Sequence, residues 1–488
     1  MTFDRRRALS FLPIALPAAA VITAYVFFAS VGHWEFHRVR IYQHFTHLGE
    51  GYYSKLADGF LSGRVSMTYA PDPRLAALRD PYDYGARETQ NIEYLWDASY
   101  YRGKYYLYFS PVPVLLFYIP FRIVGGGFPP DALAAVFFCT WAFIATVTFV
   151  VRATRARKRH VPLPVWILVL GIGNVVPFML PYVRVYEVAI FTAMAMSATW
   201  AVALQRFLET RTRSSAVWMG VWLALAIATR PNLLVLLLVT ALAIWRGEHR
   251  RTSAIAAAIP LAIVFLAMVT YNYARFGKPF ELGVKYQMTF VSMRHYPVCR
   301  VCTLPEVLRV INSAGHYVFW APTVGSEFPF VDLQRTRLDP HTSFPGTGEN
   351  VAGVAALVPL TLFGSVFAML AVTRREERDA GTRAALHVMA GAWLVLLGLS
   401  ACWWVTTRYA LDFMLLMVAA TIVCIEGGLT QLAAAGFSIR PLRVAAAILA
   451  CYSILLGFFL GFMGAEGTFE YSNPELFHKL QEYGNKKR

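Results

Sequence analysis

The chain has 488 residues, of which 57% are hydrophobic and 15% are charged, and its mean hydropathy is +0.47. In soluble domains about a quarter of the residues are charged, so this composition is typical of an integral membrane protein. The net charge of +16 would suggest a nucleic-acid partner in a soluble chain, but here the basic residues cluster in short loops, as the positive-inside rule predicts. We therefore expect membrane lipids, and no nucleic acid, as partners.

The N-terminal segment predicts a signal anchor. Arg5, Arg6 and Arg7 precede an apolar run over residues 9–31. This run is too long for the core of a cleaved signal peptide, and no clear cleavage site follows it. We expect a multi-pass protein of the inner (plasma) membrane with its N-terminus in the cytoplasm and its C-terminus outside.

Basic clusters further along the chain predict the topology. They occupy residues 152–159, 206–213, 246–251, 374–383 and 440–443. If each is cytoplasmic, an even number of crossings separates any two of them. The apolar runs then predict an all-α polytopic protein with about eleven transmembrane helices, at residues 9–31, 131–151, 163–181, 185–207, 216–245 (two short crossings), 254–273, 351–372, 385–404, 410–432 and 443–463.

The same count predicts the domain organisation. Residues 1–463 form one transmembrane domain, with a large first outer loop at 32–130 and a second outer loop at 274–350. Residues 464–488 form a short extracytoplasmic tail. We expect the first outer loop to contain juxtamembrane helices.

One apolar stretch of the first outer loop has no place among the crossings. Residues 94–124 read "YLWDASYYRGKYYLYFSPVPVLLFYIPFRIV". Their tyrosines favour the headgroup layer, and Pro111, Pro113 and Pro120 limit any helix to about two turns. This stretch predicts a juxtamembrane or re-entrant helix on the outer surface.

Residues 216–245 are a continuous apolar block with basic clusters at both ends. A single helix would place those clusters on opposite sides, so the block is predicted to bend near Thr229, Arg230 and Pro231. Arg230 would then lie at the outer turn. A charge at the middle of a membrane helix costs about 2.5–3.5 kcal/mol unless it finds a partner or a polar cavity, which favours a functional role for Arg230.

Charged residues that the topology places outside form the candidate site. Arginine binds phosphate oxygens through two donors, and a carboxylate can take a proton from an attacking hydroxyl. Together they suit transfer of a sugar from a lipid phosphate. The alternative for each arginine is a snorkelling side chain or a structural pair, such as Arg408 with Asp412. The outer residues are Glu50, Asp58, Asp97, Arg230, Arg275, Lys278, Lys285, Arg408 and Asp412.

Three motifs among these residues resemble the GT-C membrane glycosyltransferases, a class that includes protein O-mannosyltransferases and the lipid A aminoarabinose transferase. "EGYYSKLADGFLSGR" (50–64) looks like the first juxtamembrane helix of that class. "WDASYYRGKYYLYFSPVPVLL" (96–116) is similar to its Gly-Lys-Tyr-Tyr segment, which here includes Lys104 and Tyr105. "LALAIATRPNLLVLLL" (223–238) resembles its Thr-Arg bend.

The resemblance implies a polyprenyl-phosphate sugar donor, a glycan, lipid or protein acceptor, and an acidic general base in the first outer loop. Arg230, Arg408, Arg275 and Lys278 are the candidates for binding the donor phosphate. Many members carry an acidic pair directly after the first crossing, whereas here the corresponding position is Gly49-Glu50. The base is therefore Asp97 or Glu50. We favour Asp97 because it adjoins the Gly-Lys-Tyr-Tyr segment; its alternative role is as the N-cap of a tyrosine-rich helix.

Other signals in the sequence are weaker. Cys299 and Cys302, in "HYPVCRVC", favour a disulfide in the second outer loop over a metal site. His316 lies in an aromatic segment and is a further candidate for the site. No metal ligands are assigned, and a divalent cofactor stays open. Two alternative functions also stay open: a transporter or flippase of a lipid-linked sugar, and an enzyme like an O-antigen ligase or polymerase.

The predicted topology is tested by a cysteine at Gly126. We expect Gly126→Cys in intact cells to react with a membrane-impermeant maleimide, because residues 94–130 are predicted to lie outside. Reaction only after the membrane is opened would place this residue inside and overturn the parity argument.

Overall fold

The computed structural model describes residues 5–36, 51–125, 127–247, 249–294, 304–334, 349–373, 379–402 and 405–485. Within these ranges the regular structure is helical apart from two short antiparallel hairpins. The α-helices are α1 (Arg5–Ala29), α2 (Tyr52–Leu61), α3 (Pro73–Ala77), α4 (Tyr84–Thr89), α5 (Ile119–Gly125), α6 (Asp131–Ala153), α7 (Leu163–Gly171), α8 (Val176–Met179), α9 (Val185–Thr210), α10 (Arg213–Thr229), α11 (Leu236–Trp245), α12 (Arg250–Phe276), α13 (Leu304–Phe319), α14 (Val354–Leu357), α15 (Leu360–Thr373), α16 (Ala380–Ser400), α17 (Thr407–Ala410), α18 (Met414–Ala434), α19 (Arg440–Met463), α20 (Thr468–Ser472) and α21 (Pro474–Asn485). The strands are β1 (Ser99–Tyr101), β2 (Lys104–Tyr106), β3 (Thr323–Val324) and β4 (Val331–Asp332).

The helices confirm the predicted all-α polytopic class. Among the described residues, seven helices are long and apolar enough to cross a membrane: α1, α6, α9, α12, α16, α18 and α19. Four shorter apolar helices lie at the remaining predicted crossings: Leu163–Met179, Arg213–Thr229, Pro231–Trp245 and Leu360–Thr373. Helix α9 lies at the centre, where 89% of its most apolar stretch is buried, and it packs against α6, α10 and α16.

The predicted bend in the 216–245 block is confirmed. Helix α10 ends at Thr229, Arg230 is extended, and a 3-10 turn over Pro231–Val235 leads into α11. A proline disfavours helical conformation in the residue before it, which explains the break. Arg211, just before α10, donates from Nη1 to the carbonyl of Ala243 near the end of α11, at 2.7 Å. The two ends of the block therefore meet, and the chain reverses at Arg230.

The tyrosine-rich stretch differs from its predicted helix. Tyr100 pairs with Tyr105 in the hairpin β1–β2, whose turn residues Arg102 and Gly103 have φ values of 49° and 71°. A two-residue turn with positive φ matches the twist of paired strands, so the Arg-Gly step favours a hairpin over a helix. The prediction of a helix at the tyrosines was therefore wrong.

The helical part of this stretch lies further along and is longer than predicted. A π-helical turn over Val114–Tyr118 leads into α5, which contains Pro120. The wider turn leaves room for a proline, which has no N–H to donate and would clash with the preceding turn of a regular helix. The limit of two turns set by the prolines is therefore incorrect.

The two predicted outer loops pack into one layer at the hairpin. Asp97 N donates to the carbonyl of Met288 at 3.1 Å, and Met288 N donates to the carbonyl of Ala98 at 3.0 Å. Ser99 forms a β-bridge with Gln287, so the second loop adds an edge to β1. The fully buried Arg87 of the first loop also donates to the carbonyl of Thr289 at 2.6 Å. The backbone around Asp97 is therefore held by residues almost two hundred positions away.

Candidate active site

Asp97 lies half-buried where the two loops meet. Its backbone is left-handed, with φ 57°, and Gln287 Nε2 donates to its Oδ1 at 3.4 Å. Burial raises the pKa of the Asp97 carboxyl from 3.8 to about 7, and the guanidinium groups of Arg408 and Arg184 oppose that shift. Asp97 precedes a hairpin and not a helix, so its alternative role as an N-cap is wrong.

Arg408 lies in α17 and binds two carboxylates. Its Nη2 is 2.6 Å from Glu349 Oε1, and its Nη1 is 3.7 Å from Glu187 Oε1. The guanidinium carbon lies 4.9 Å from the centre of the Tyr186 ring. Arg408 is therefore oriented by α9 and by the segment before α14. It forms no ion pair with Asp412, so the alternative of an Arg408–Asp412 pair is wrong.

Asp412 instead binds Arg230, at the turn after α10. The Nε and Nη2 atoms of Arg230 lie 3.0 and 2.7 Å from Asp412 Oδ2, which Asn232 Nδ2 also contacts at 2.8 Å. The Asp412 side chain is 0% exposed and that of Arg230 is 13% exposed. The Arg230 guanidinium also lies 5.0 Å from the centre of the Tyr409 ring, beside Arg408. Asp412 is therefore the partner that a charge at this bend was expected to need.

Arg184 and Glu187, at the start of α9, complete the charged group, and the sequence analysis did not single them out. Arg184 N donates to Glu187 Oε2 at 2.9 Å, and its guanidinium lies 4.0 Å from the centre of the Tyr182 ring. Both residues line a narrow cleft together with Tyr182, Glu349 and Arg408. We name Asp97, Arg184, Glu187, Glu349 and Arg408 the Asp97 cluster. The signal was available: Arg184 is an arginine at a predicted outer turn, and such arginines require a reason.

Asp131 is a second carboxylate that sequence reasoning missed. It begins α6, accepts from Gly51 N at 3.0 Å through Oδ2, and accepts from the Tyr118 hydroxyl at 2.5 Å through Oδ1. Gly51 directly follows Glu50, the other candidate base. Glu50 lies outside the described residues, as do Cys299 and Cys302.

Three basic candidates lie beyond α12 or at its end. Arg275 is buried and donates to the carbonyl of Leu107 and to Asn272 Oδ1, each at 2.5 Å. It therefore ties α12 to the segment after the hairpin. Lys285 lies 2.5 Å from Glu281, whereas Lys278 is exposed.

The remaining candidates occupy separate positions in the two predicted outer loops. Asp58 of α2 forms an ion pair of 2.9 Å with Arg122 of α5. Tyr105 is fully buried in the hairpin and its hydroxyl accepts from Leu95 N, while Lys104 is exposed. His316 of α13 bonds through Nδ1 to the carbonyl of Asn312 and packs on Trp320. Within the described ranges, no group of three or more His, Cys, Asp or Glu side chains could hold a metal ion.

Comparisons with known proteins found similar solved structures but no match in sequence. No family model matches the chain, and no curated protein matches it. It is similar to the oligosaccharyltransferase AglB from Archaeoglobus fulgidus in complex with an inhibitory peptide and a dolichol-phosphate, at 16% identity and TM-score 0.48, covering 92% of this chain and 55% of that one. A second structure of the oligosaccharyltransferase from this organism, a complex with Zn and sulfate, gives 13% identity and TM-score 0.49, covering 91% of this chain and 53% of that one.

A third similar structure is ArnT from Cupriavidus metallidurans bound to undecaprenyl phosphate, at 13% identity and TM-score 0.43. The match covers 94% of this chain and 78% of that one. The chain spans about half the length of the two oligosaccharyltransferases. These likenesses assign no role to any residue of this chain.

The Arg230–Asp412 pair is expected to couple strongly in stability. Arg230→Met or Asp412→Leu alone leaves a buried charge without its partner, which typically costs about 3–5 kcal/mol in unfolding free energy. The double variant Arg230→Met/Asp412→Leu removes both charges and should recover most of that loss. Thermal unfolding of the purified variants in detergent measures the difference.

Arg74→Met is the matched control, because Arg74 forms an exposed pair with Asp72. We expect it to change stability little. If the double variant is as unstable as the sum of the two single variants, the buried pair does not act as a unit.

Proposed function

We propose that the chain is a glycosyltransferase that moves a sugar from a polyprenyl-phosphate donor to an acceptor hydroxyl on the outer face of the membrane. The observation that carries the proposal is that the half-buried Asp97 carboxyl lies within electrostatic reach of the guanidinium groups of Arg408 and Arg184, whose charges lower its pKa against the effect of burial. One group of side chains thereby offers both a proton acceptor and cations for an anionic leaving group. The acceptor is a glycan, a lipid or a protein.

Asp97 is the general base of this proposal. A general base works best when its pKa lies near the working pH, because it is then both ionised and basic enough to accept a proton. The pKa of about 7 at Asp97 meets that condition, whereas an exposed aspartate with a pKa near 4 would be a poor base. The hydrogen bond from Gln287 and the contacts with Met288 orient the carboxyl.

Arg408, Arg184 and Arg230 are the proposed donor-binding groups. A guanidinium presents two parallel donors to a phosphate and stays charged at all relevant pH values. Arg408 and Arg184 line the cleft, and Arg230 lies over the neighbouring Tyr409 ring. Carboxylates and aromatic rings hold all three in place, so they require little reorganisation when a phosphate enters.

The reaction then balances as a single displacement. The acceptor hydroxyl loses its proton to Asp97 as its oxygen attacks the anomeric carbon of the sugar. The bond between that carbon and the phosphate oxygen breaks, and its electron pair leaves with the polyprenyl phosphate. The arginines stabilise the negative charge that develops on the departing phosphate. Asp97 later returns its proton to solvent.

Asp97→Asn is expected to lower turnover by roughly 10²–10⁴-fold, because the amide cannot accept the proton. Donor affinity and melting temperature should stay near the wild-type values, since the two side chains have the same shape. In the wild type, kcat/KM should rise about tenfold per pH unit below pH 7 and level off above it, as the carboxyl ionises. The assay follows transfer from a panel of radiolabelled polyprenyl-phosphate sugars.

Two companion variants make this test decisive. Asp83→Asn changes an exposed carboxylate of the same loop, which caps α4, and should leave turnover unchanged. Glu50→Gln tests the other candidate base. Loss of turnover in Glu50→Gln with normal turnover in Asp97→Asn would move the base to Glu50, and no transfer from any donor of the panel by the wild type would contradict the proposed function.

Donor binding is expected to depend on the fork geometry of the arginines. Arg408→Lys and Arg230→Lys keep the charge but lose the paired donors, so each should weaken binding of a polyprenyl phosphate by about tenfold. Arg122→Lys is the control, because Arg122 also binds a carboxylate, Asp58, in the outer layer. Equal affinities for all three variants and the wild type would remove Arg408 and Arg230 from the donor site.

A further inference from the structure

A second pocket lies at the other end of the helix bundle. It has a volume of about 400 Å³ and is lined by the ends of α9 and α11, the end of α15 and the beginning of α16. Helix α9 begins at Val185, beside the Asp97 cluster, and ends at Thr210, beside this pocket. At 1.5 Å per residue, its 26 residues separate the two by roughly 40 Å. The pocket is therefore not part of the proposed active site.

The polar lining of this pocket is basic. Arg211, Arg246, Arg383 and His387 contribute to it, and no carboxylate does among the described residues. The three arginines come from three of the basic clusters in the sequence, which the fold brings together. Within the described part of the chain none of them forms an ion pair. We name these four residues and the space between them the basic pocket.

Arg211 is held in place by its hydrogen bond to the carbonyl of Ala243. Burial lowers the pKa of Arg211, and the nearby charge of Arg383 lowers it further. The cations therefore repel one another, and an anion between them would relieve that repulsion. A set of snorkelling arginines would instead spread apart into water.

His387 gives an independent indication of a ligand. Its side chain lines the basic pocket, and the residue is only 8% exposed. Nδ1 donates to the carbonyl of Arg383 at 2.7 Å, so Nε2 carries the lone pair of the neutral ring, and it is buried without a partner among the described residues. A buried acceptor without a hydrogen bond costs free energy unless a hydroxyl of a ligand or a water donates to it.

The walls of the pocket are apolar and open toward the lipid. Leu242 of α11 is 44% exposed and Val372 of α15 is 54% exposed. Nearer the middle of the bundle, Leu238 of α11 and Met369 of α15 are exposed as well. Helix α16 packs against both α11 and α15, so it forms the floor of an apolar groove that begins at the basic pocket.

We propose that the basic pocket binds the phosphate of an anionic phospholipid, with an acyl chain of that lipid along the groove between α11 and α15. The three guanidinium groups match the phosphate, and the buried Nε2 acceptor matches a hydroxyl of a head group such as that of phosphatidylglycerol. The apolar groove matches the hydrocarbon that follows. Basic pockets between membrane helices on the cytoplasmic side are suited to such head groups. The site is independent of the chemistry proposed for Asp97.

The test compares lipids and variants by direct binding. Purified protein in bicelles of phosphatidylcholine is titrated with phosphatidylglycerol carrying a fluorescent acyl chain. We expect Arg246→Ala/Arg383→Ala to weaken binding by at least about tenfold, because both side chains are exposed cations of the pocket. Arg213→Ala, an exposed arginine nearby that does not line the pocket, should leave binding unchanged.

His387→Leu separates a specific site from general attraction to a basic surface. It keeps the charge of the arginines, and it should still weaken binding severalfold, because Nε2 would accept from a hydroxyl of the phosphatidylglycerol head group. Unfolding of each variant without added lipid checks that it is folded. Equal binding by wild type and Arg246→Ala/Arg383→Ala would overturn the proposal, and so would full competition by inorganic phosphate or equal binding of phosphatidylcholine.

Discussion

The structure depends on the pairing of charges that lie away from water. Asp412 is fully buried and Arg230 is 13% exposed, and each charge would lack a counter-charge there without the other. Their contact joins the turn after α10 to the segment that precedes α18. Arg408, four residues before Asp412, reaches Glu187 at the start of α9. Three helices that are far apart in the sequence are thereby fixed relative to one another at the same end of the bundle.

The arginines at this end fall into two groups. Arg87 and Arg275 donate to backbone carbonyls of other segments and tie the loops together. Arg184 and Arg408 face a cleft, and each lies over an aromatic ring. An arginine whose donors are taken up by carbonyls has few left for a ligand, so the cleft arginines are the better candidates for phosphate. This distinction between a structural and a binding arginine depends on hydrogen-bond partners and not on charge.

In the two predicted outer loops, a small backbone sheet is the scaffold and Asp97 is the side chain that it positions. The hairpin β1–β2 and residues Gln287–Met288 form a small sheet that is held by backbone hydrogen bonds. Asp97 lies at its edge with a left-handed backbone, a conformation that is uncommon for any residue except glycine and that the surrounding hydrogen bonds maintain. A rigid sheet of two loops can hold a carboxylate in a fixed direction, which a mobile loop cannot do.

The opposite end of the bundle has a different balance of charge. In the Asp97 cluster each described arginine has a carboxylate near it, whereas the basic pocket has none among the described residues. The positive-inside rule accounts for the number of basic residues at that end. It does not account for the buried histidine or for the apolar groove beside them. These features arise only when α9, α11, α15 and α16 come together.

The sequence by itself determined the membrane class, the all-α architecture and the bend at Arg230. Each of these follows from the free-energy cost of placing a charge or an unpaired backbone group in lipid. Because this cost applies to local stretches of chain, composition and spacing are enough to predict its effects. The sequence also singled out Arg230 and Arg408 as arginines in predicted outer segments, and Asp97 because it adjoins the Gly-Lys-Tyr-Tyr segment of the resemblance. Only the tertiary structure decided which carboxylate each arginine binds and that Asp97 precedes a hairpin and not a helix. It also decided that Arg184 and Glu187 line the same cleft as Arg408. These depend on contacts between segments up to about two hundred residues apart, as between Asp97 and Gln287 or Arg230 and Asp412, and no local pattern specifies such pairings.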